Sequence, residues 1–179
     1  MRADGTFKKP ALPVPVSFLP RVILMPHIEN TVLVNAPLEA VFAAARDQET
    51  FPQFMPDVES VVISERSADG LRSVSEWVAV ASDFKLKVRW TEEDLWDPAT
   101  HSLRFRQIKG DYTAYGGTWA FSDEGGGVTR FQSEIDYELE IPLIGALLKA
   151  VVARLMRDNT QKILEAIKSR AESQSPEAA

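Results

Sequence analysis

The sequence predicts an α+β fold in which a seven-stranded antiparallel sheet curls around one long C-terminal helix. Three observations lead to this prediction. A single strand and a short helical pattern come first, six strand-like segments then follow one another between residues 58 and 141, and one long amphipathic segment comes last. With 179 residues, the chain has the length of one ordinary domain. Only the last helix is long enough to cover one face of such a sheet.

Residues 1–26 are predicted to be a proline-rich N-terminal extension. Lysines before an apolar tract resemble a secretory signal, but the four prolines between residues 10 and 20 would break the helix that a signal needs. We expect an extended arm that lies on the domain or a disordered leader. The alternative is an arm that contacts a partner, a membrane or a second copy of the chain. Because the domain-like pattern begins only at His27, Met25 is an alternative start of the natural protein.

The domain is predicted to span residues 27–172 and to open with a strand, since residues 27–34 end in alternating apolar and polar positions. Residues 35–48 have helical spacing, with Asn35 as a possible capping residue. The run QETFPQFMPDVESVVISE (48–65) follows, and its two prolines restrict the residues before them, so a second helix here must be very short.

Six predicted strands follow at residues 58–65, 71–81, 83–96, 101–110, 111–124 and 128–141. The third of these alternates most strictly, with apolar Phe84, Leu86, Val88 and Trp90 against basic Lys85, Lys87 and Arg89. An alternation of period two predicts one buried face and one wet face. Turn sequences such as SADG and GGG separate neighbouring strands, which predicts hairpins.

The last predicted element begins at Pro142 and runs to about residue 172. A stripe at spacings of three to four residues consists of Ile144, Leu147, Leu148, Val151, Leu155, Asn159, Ile163 and Ile167. Residues 173–179 lack large apolar side chains and are predicted to be a disordered tail. A sheet that grips one helix leaves space between the two, so the fold predicts a mostly apolar cavity.

Composition excludes several classes of function. The net charge of −6 disfavours nucleic acid as a direct partner, because phosphate binding needs a basic face. The chain has no cysteine, hence no disulfide, thiolate nucleophile or zinc ribbon. No stretch is long and apolar enough to predict a membrane span, so we expect a soluble, cytoplasmic protein. Neither of the two histidines has metal-like neighbours, and nothing predicts a cofactor.

This order of elements resembles the START-like helix-grip superfamily, also called SRPBCC, from about residue 27 to residue 171. The resemblance rests on the runs at residues 35–63 and 128–148, on GDY at residues 110–112 and on GTWAF at residues 117–121. The chain is most similar to the polyketide cyclase/dehydrase and coenzyme-Q-binding branch, whose short bacterial members include a proposed ribosome-association toxin. At Tyr137-Glu138-Leu139 it departs from the quinone-binding members, which tend to have phenylalanine on both sides of the acid.

The resemblance implies a cavity that binds a hydrophobic ligand, and the aromatic residues at inward positions are the candidates for its lining. The predicted ligand-binding residues are Phe51, Phe54, Met55, Trp77, Phe84, Trp90, Phe105, Trp119, Phe121, Phe131, Tyr137, Leu148 and Val152. The alternative for each is simple packing against the last helix. For the corner residues Phe51, Phe54 and Met55 the two alternatives are a lid over the cavity mouth and a proline-pinned part of the core.

Two sets of acidic residues are possible sites of chemistry. Alternation puts Glu134, Asp136 and Glu138 opposite Phe131, on a solvated face, and Arg104, Arg106 and Arg130 can neutralise acids across strands. The second set is the run at residues 92–94. A cyclase would need a base or a polarising donor, for which the candidates are Ser73, Ser75, Glu76, Tyr112, Tyr115 and Tyr137. None of these stands in a recognisable motif, so the catalytic residues stay unknown.

We therefore expect a cofactor-free domain that binds or transports a lipid, isoprenoid quinone or polyketide-like molecule. An enzyme of the cyclase or dehydratase type is the first alternative. A module that interacts with the ribosome or another protein is the second.

Overall fold

The computed structural model of the protein describes residues 26–81, 86–138 and 146–175. In chain order its elements are β1 (His27–Val34), α1 (Leu38–Arg46), a short 3-10 helix (Gln48–Gln53), β2 (Val58–Arg66), β3 (Arg72–Ala81), β4 (Leu86–Asp97), β5 (Ser102–Gly110), β6 (Ala114–Gly125), β7 (Val128–Glu138) and α2 (Ala146–Gln174). The N-terminal arm, except for Pro26, and the last four residues lie outside the described ranges. None of the helices within these ranges is long and apolar enough to cross a membrane.

All seven strands form one antiparallel sheet in the order β1-β7-β6-β5-β4-β3-β2. Consecutive strands from β2 to β7 pair with each other, and β1 joins the sheet by pairing with β7, from His27 opposite Asp136 to Val34 opposite Thr129. The predicted fold class is confirmed, including the two short helices after the first strand and the long C-terminal helix.

The boundaries differ from the prediction at helix ends. Asn35 does not cap α1, because the residue before the helix is Pro37, whose extended conformation places the first helical residue at Leu38. Instead, the backbone N–H of Asn35 donates to the Glu172 carboxylate of α2 at 2.8 Å. At the other end of the chain, α2 continues to Gln174, two residues beyond the predicted end of the domain.

The two faces of the sheet differ as the alternation predicted. Along β7, Phe131, Ile135 and Tyr137 are buried on the concave face, whereas Glu134 and Asp136 are exposed on the convex face. The acids of β7 thus lie on the solvated side of the sheet, as expected.

The last helix covers the concave face unequally. Its C-terminal half is buried through Thr160, Leu164, Ile167 and Ala171. In its N-terminal half, apolar Val152 and Leu155 are only half-buried. The short helix α1 fills the space between α2 and the sheet only at the opposite end. Beneath the N-terminal half of α2 this space is therefore open.

Candidate functional site

A cavity of about 1090 Å³ lies between the concave face of the sheet and α2. From the sheet it is lined by Trp77, Ala79 and Val80 of β3, Val88, Trp90 and Glu92 of β4, Leu103 and Phe105 of β5, and Tyr115 and Trp119 of β6. From the helix it is lined by Val151, Val152, Leu155, Met156, Asn159 and Ile163, among others. The cavity has the size of small-molecule sites in proteins, and most of its lining is apolar.

The position of α1 explains why only part of the concave face is open. Phe42 of this helix packs its ring edge-on against Trp96 and Phe121, at centroid distances of 5.5 and 5.6 Å. Phe131 in turn stacks on Phe121 at 4.4 Å. At this end the aromatic rings fill the space between sheet and helix, so the cavity begins beyond them.

Stacked aromatic pairs form the wall of the open end. Trp77 and Trp90 are partners across β3 and β4, and their rings stack at 5.5 Å with an interplanar angle of 11°. Tyr112 and Tyr115 stack at 4.8 Å, and Tyr115 meets the edge of Trp90 at 5.9 Å. These rings offer a ligand extended apolar surface, and the indole N–H and phenol O–H groups can orient its polar part.

Close backbone approach at the end of β5 places the tyrosine pair over the cavity. A Cβ atom at Gly110 would lie 2.5 Å from the Cβ of Trp90 and 2.8 Å from the carbonyl oxygen of Arg89. Glycine is therefore required where the chain crosses Trp90. The next residue, Asp111, accepts a hydrogen bond from the backbone N–H of Arg89 at 2.7 Å, which fixes the turn into Tyr112.

Six of the residues predicted from the sequence to bind a ligand line this cavity. They are Met55, Trp77, Trp90, Phe105, Trp119 and Val152. Phe121 and Phe131 lie instead in the packed end under α1, and buried Tyr137 is a cross-strand neighbour of Tyr115. Contact of any of these residues with a ligand stays a prediction. Phe84 lies outside the described residues, and Leu148 lies in a part of α2 whose side chains are not described.

The corner after α1 is divided between core and cavity. Phe51 is fully buried and packs against Trp77 at 5.9 Å and Phe54 at 5.7 Å. Phe54 lies under the guanidinium of Arg170 from α2, at 5.6 Å from its ring centroid. Only Met55 of the three residues lines the cavity. Phe51 thus lies in the core, Phe54 packs against it half-buried, and Met55 lines the cavity.

Two carboxyl groups are buried on the cavity side of β4. Glu92 is 5% exposed and lines the cavity, and Asp94 is fully buried one step further along the same face. Glu93 between them points to the convex face, where it forms ion pairs with Arg72 at 2.7 Å and Arg106 at 2.6 Å. Within the described ranges, neither Glu92 nor Asp94 forms an ion pair, whereas Glu93 and other acidic residues do.

The stacked tryptophans hold both buried acids in place. The indole N–H of Trp90 donates to Oε2 of Glu92 at 2.7 Å. The indole N–H of Trp77 donates to the hydroxyl of Ser75 at 2.8 Å, and this hydroxyl donates to Oδ2 of Asp94 at 3.3 Å. The other carboxyl oxygen of Asp94 is buried and has no hydrogen-bond partner among the residues that the structure describes.

The pKa values of both acids are raised because burial removes water from the charged form. The pKa of Glu92 lies well above its ordinary value, first through burial and then through the charge of Asp94, against the lowering effect of the Trp90 hydrogen bond. Burial raises the pKa of Asp94 to about 6, although the nearby polar groups of Gln48, Ser75 and Ser73 limit the rise. Perturbed acids in a cavity wall are frequent at functional sites.

The sequence analysis named the acidic run at residues 92–94 as a possible site of chemistry, but it did not separate the inward Glu92 and Asp94 from the outward Glu93, although the signal was present. The apolar and basic residues alternate strictly up to Trp90. The same period of two places Glu92, Asp94 and Trp96 on the buried face together with Trp90. Glu76, which was a candidate for catalysis, lies exposed on the convex face. Tyr112 and Tyr115, which were also candidates, do line the cavity, and burial raises the pKa of both hydroxyls.

Comparison with known proteins places these features in context. The family model described as "Polyketide cyclase / dehydrase and lipid transport" matches residues 34–164. A crystal structure of TTHA0849 from Thermus thermophilus is 37% identical, covers 84% of this chain and 99% of its own, and superposes with a TM-score of 0.78.

More distant proteins share the fold. The Zhui aromatase/cyclase from Streptomyces sp. R1128 is 22% identical over 84% of this chain and 95% of its own, with a TM-score of 0.75. A START superfamily protein from Mycobacterium smegmatis is 21% identical over 83% of this chain and 99% of its own, with a TM-score of 0.72. The ribosome association toxin RatA of Escherichia coli K12 is 24% identical over 159 residues, which cover 87% of this chain and 98% of the toxin.

Proposed function

The chain belongs to the polyketide cyclase / dehydrase and lipid transport family, and on this premise we propose that it binds a small hydrophobic molecule in the cavity under α2. The molecule is of the lipid, isoprenoid quinone or polyketide type, and the protein acts as its carrier or chaperone in the cytoplasm. One observation above all supports this proposal. A cavity of about 1090 Å³ is lined by stacked aromatic rings on one side and by half-buried aliphatic residues of α2 on the other.

The energetics of such binding are favourable. Removing about 300 Å² of apolar ligand surface from water contributes roughly 7 kcal/mol at about 25 cal/mol per Å². Association opposes this gain through lost translational and rotational freedom. Affinity in the micromolar range is therefore expected for a ligand held by apolar contacts alone.

Dye binding with a filled cavity tests the proposal. The neutral dye N-phenyl-1-naphthylamine becomes fluorescent in apolar sites, and we expect it to bind the wild-type protein. In the double variant Val152→Trp/Leu155→Trp, two indole rings occupy the cavity face of α2, and the dye affinity should fall by about tenfold or more. Native mass spectrometry of the purified protein, followed by organic extraction, identifies any retained ligand.

The matched control places the same rings on the outer face of the helix. Arg154 and Asp158 are exposed there, with side-chain exposures of 83% and 54%. Arg154→Trp/Asp158→Trp should bind the dye like the wild type. Absence of dye binding by the wild-type protein, or equal loss in the two double variants, would contradict the proposal.

An enzyme of the cyclase or dehydratase type is the second candidate, and the buried Glu92 favours it. A carboxyl group with a raised pKa in a cavity wall can serve as a general acid or base. Turnover of an aromatic polyketide precursor that is lost in Glu92→Gln would support this reading. The third candidate is a module that interacts with the ribosome, and the 24% identity to RatA supports it. Co-sedimentation with ribosomal subunits tests this candidate.

A further inference from the structure

The charges in the cavity wall are unevenly distributed. The mouth of the cavity has equal numbers of basic and acidic residues. The basic residues are Lys87, Arg89 and Lys162, and the acidic residues are Asp57, Asp111 and Glu165. Lys87 pairs with Glu59 at 2.6 Å and Lys162 pairs with Asp57 at 2.9 Å. Glu92 is the additional ionisable acid of the lining, and Asp94 lies beside it on the same strand. The interior of the cavity is thus acidic, while the mouth is balanced.

The acceptor atoms near Glu92 are incompletely satisfied. Oδ1 of Asp94 is buried without a hydrogen-bond partner. Gln107, which faces Glu92 across β4 and β5, donates its amide to the carbonyl oxygen of Tyr112 at 2.8 Å, but its own Oε1 is buried and unpartnered. Buried polar atoms without partners are uncommon in folded proteins and indicate a missing water, ion or ligand. Both of these atoms are acceptors, but neither residue lines the cavity. The indole N–H of Trp119, which does line it, is likewise buried without a partner among the described residues.

Aromatic faces lie beside the acids. Trp90 holds Glu92 through its N–H, stacks on Trp77, and meets Tyr115 at 5.9 Å and Tyr112 at 6.2 Å. The faces of such rings attract organic cations, most strongly where water is excluded.

The sheet is irregular at the same place. Thr91 pairs with Lys109 and Glu92 with Gln107, so Ile108 is an extra residue that bulges out of β5 beside Glu92. Bulges of this kind re-aim neighbouring side chains and are over-represented next to functional sites.

From these observations we propose that the hydrophobic ligand carries a protonated amine, which lies against Glu92 beside the rings of Trp90 and Tyr115 that line the cavity. Glu92, which lines the cavity, supplies the compensating negative charge and accepts hydrogen bonds from the ammonium N–H groups, and Asp94 lies buried beside it on β4. The apolar body of the ligand fills the remaining cavity under α2. The inference rests on the proposed function and narrows its ligand to an amphipathic organic cation.

An organic cation fits this site better than a metal ion. In the described part of the chain, no group of three or more histidine, cysteine or acidic residues is arranged to hold a metal. Two carboxyl groups among tryptophan and tyrosine rings offer too few ligands for calcium or magnesium. They do offer the combination of charge and aromatic surface that an ammonium group requires.

Binding of the cation is coupled to a proton. Without ligand, burial raises the pKa of Glu92 and so favours its neutral form. When an ammonium group arrives, the ionised carboxylate is stabilised, so the O–H bond of Glu92 breaks and its proton passes to the buffer. The groups that face this carboxyl are Asp94 on its own strand, Tyr112 and Tyr115 beside it, Asp57, Lys87, Arg89 and Asp111 at the mouth, and Lys162 and Glu165 on α2.

A matched pair of ligands tests the inference. Decylamine, which is protonated near neutral pH, and 1-decanol have the same chain and differ in the charge of the head group. We expect decylamine to displace N-phenyl-1-naphthylamine from the wild-type protein at a concentration about tenfold lower than 1-decanol. In Glu92→Gln, which keeps the shape of the side chain and loses its charge, this preference should disappear while decanol still displaces the dye.

Glu76→Gln is the control variant, because Glu76 is exposed on the convex face of β3. It should retain the full preference for the amine. A second measurement needs no variant. Calorimetry of decylamine binding in two buffers of different ionisation enthalpy should show release of a fraction of a proton up to one proton near neutral pH.

The outcomes separate the inference from the proposed function. Equal displacement by amine and alcohol, an amine preference that survives in Glu92→Gln, or no proton release would overturn the inference while the cavity still binds apolar molecules. If neither the dye nor either decyl compound binds the wild-type protein, the proposed function fails and the inference fails with it.

Discussion

The two ends of the concave face share one sequence pattern but have different environments. Under α1, Phe42, Trp96, Phe121 and Phe131 form a connected set of ring contacts, and Trp119 joins this set to the cavity. At the other end, Trp77, Trp90, Tyr112 and Tyr115 line the cavity. Alternation along the strands decides which residues face inward at both ends. The covering helix then decides whether an inward residue becomes core or cavity wall.

The largest effect is expected from Phe131→Ala in the packed end. Phe131 is fully buried and stacks on Phe121. Removal of its ring should lower the free energy of unfolding by about 3–5 kcal/mol, through lost burial and the void left behind. Urea denaturation measures this loss. The variant that remains folded should bind N-phenyl-1-naphthylamine with unchanged affinity.

The matched change at the cavity end is Trp90→Ala. Trp90 is only half-buried, so the loss of stability should be smaller than for Phe131→Ala, while the dye affinity should fall by about tenfold. A large loss of affinity in Phe131→Ala with none in Trp90→Ala would show that the division into a packed end and a ligand end is wrong.

Asp94 lies between the two ends and should make the stability of the protein depend on pH. Its pKa is about 6 in the folded protein, against an ordinary value of 3.8. As pH rises from about 4 to about 6, the unfolded chain releases this proton while the folded protein retains it. Stability therefore falls over this interval by about 3 kcal/mol and changes little above it on account of this group. In Asp94→Asn this component of the fall should be missing from denaturation curves recorded across the interval.

The neighbouring Glu93 gives a control of opposite sign. Hydrogen bonds from Arg106 and Arg72 lower its pKa. Its contribution is present at neutral pH and is lost as pH falls through the folded pKa. The charge of Glu93 also adds to the raised pKa of Asp94, but less than burial does, so Glu93→Gln should keep most of the fall between pH 4 and 6. An equal flattening in both variants would mean that Asp94 is not the source.

The smallest effect is expected at the corner, where adjacent residues belong to different ends. Phe54 packs on Phe51 and Arg170, so Phe54→Ala should cost about 1 kcal/mol of stability and leave dye affinity unchanged. Met55 lines the cavity, and Met55→Ala should lower the dye affinity by about fivefold. Thermal unfolding and dye titration of both variants separate these effects. Loss of affinity in Phe54→Ala would instead support a lid.

Much of the fold could be predicted because local patterns and global structure agree. In β4 and β7 the period of two in the sequence is the period of burial in the sheet. In α2 the apolar stripe faces the sheet along most of its described length. Pro37, by contrast, determined the start of α1 where Asn35 had been expected to cap it.

The site was less accessible to sequence reasoning, for a physical reason. Trp119 and Phe121 are both inward residues of β6, yet only Trp119 lines the cavity, because Phe42 of α1 occupies the space beside Phe121. Phe42 and Phe121 are far apart in the sequence, so no local sequence pattern predicts their contact. The acidic run at residues 92–94 was noted, but the burial of Glu92 and Asp94 was not predicted, since acidic residues are ordinarily exposed and the alternation was not followed beyond Trp90.

The tryptophans of the concave face give the protein an optical property of its own. All four tryptophans of the chain lie on this face, and Trp77, Trp90 and Trp119 line the cavity. Trp96 lies 6.5 Å from Trp119, close enough for excitation to pass between their rings. Three of the four tryptophans thus line the cavity and the fourth lies next to one of them, so the intrinsic fluorescence of the unlabelled protein should change when the cavity is filled.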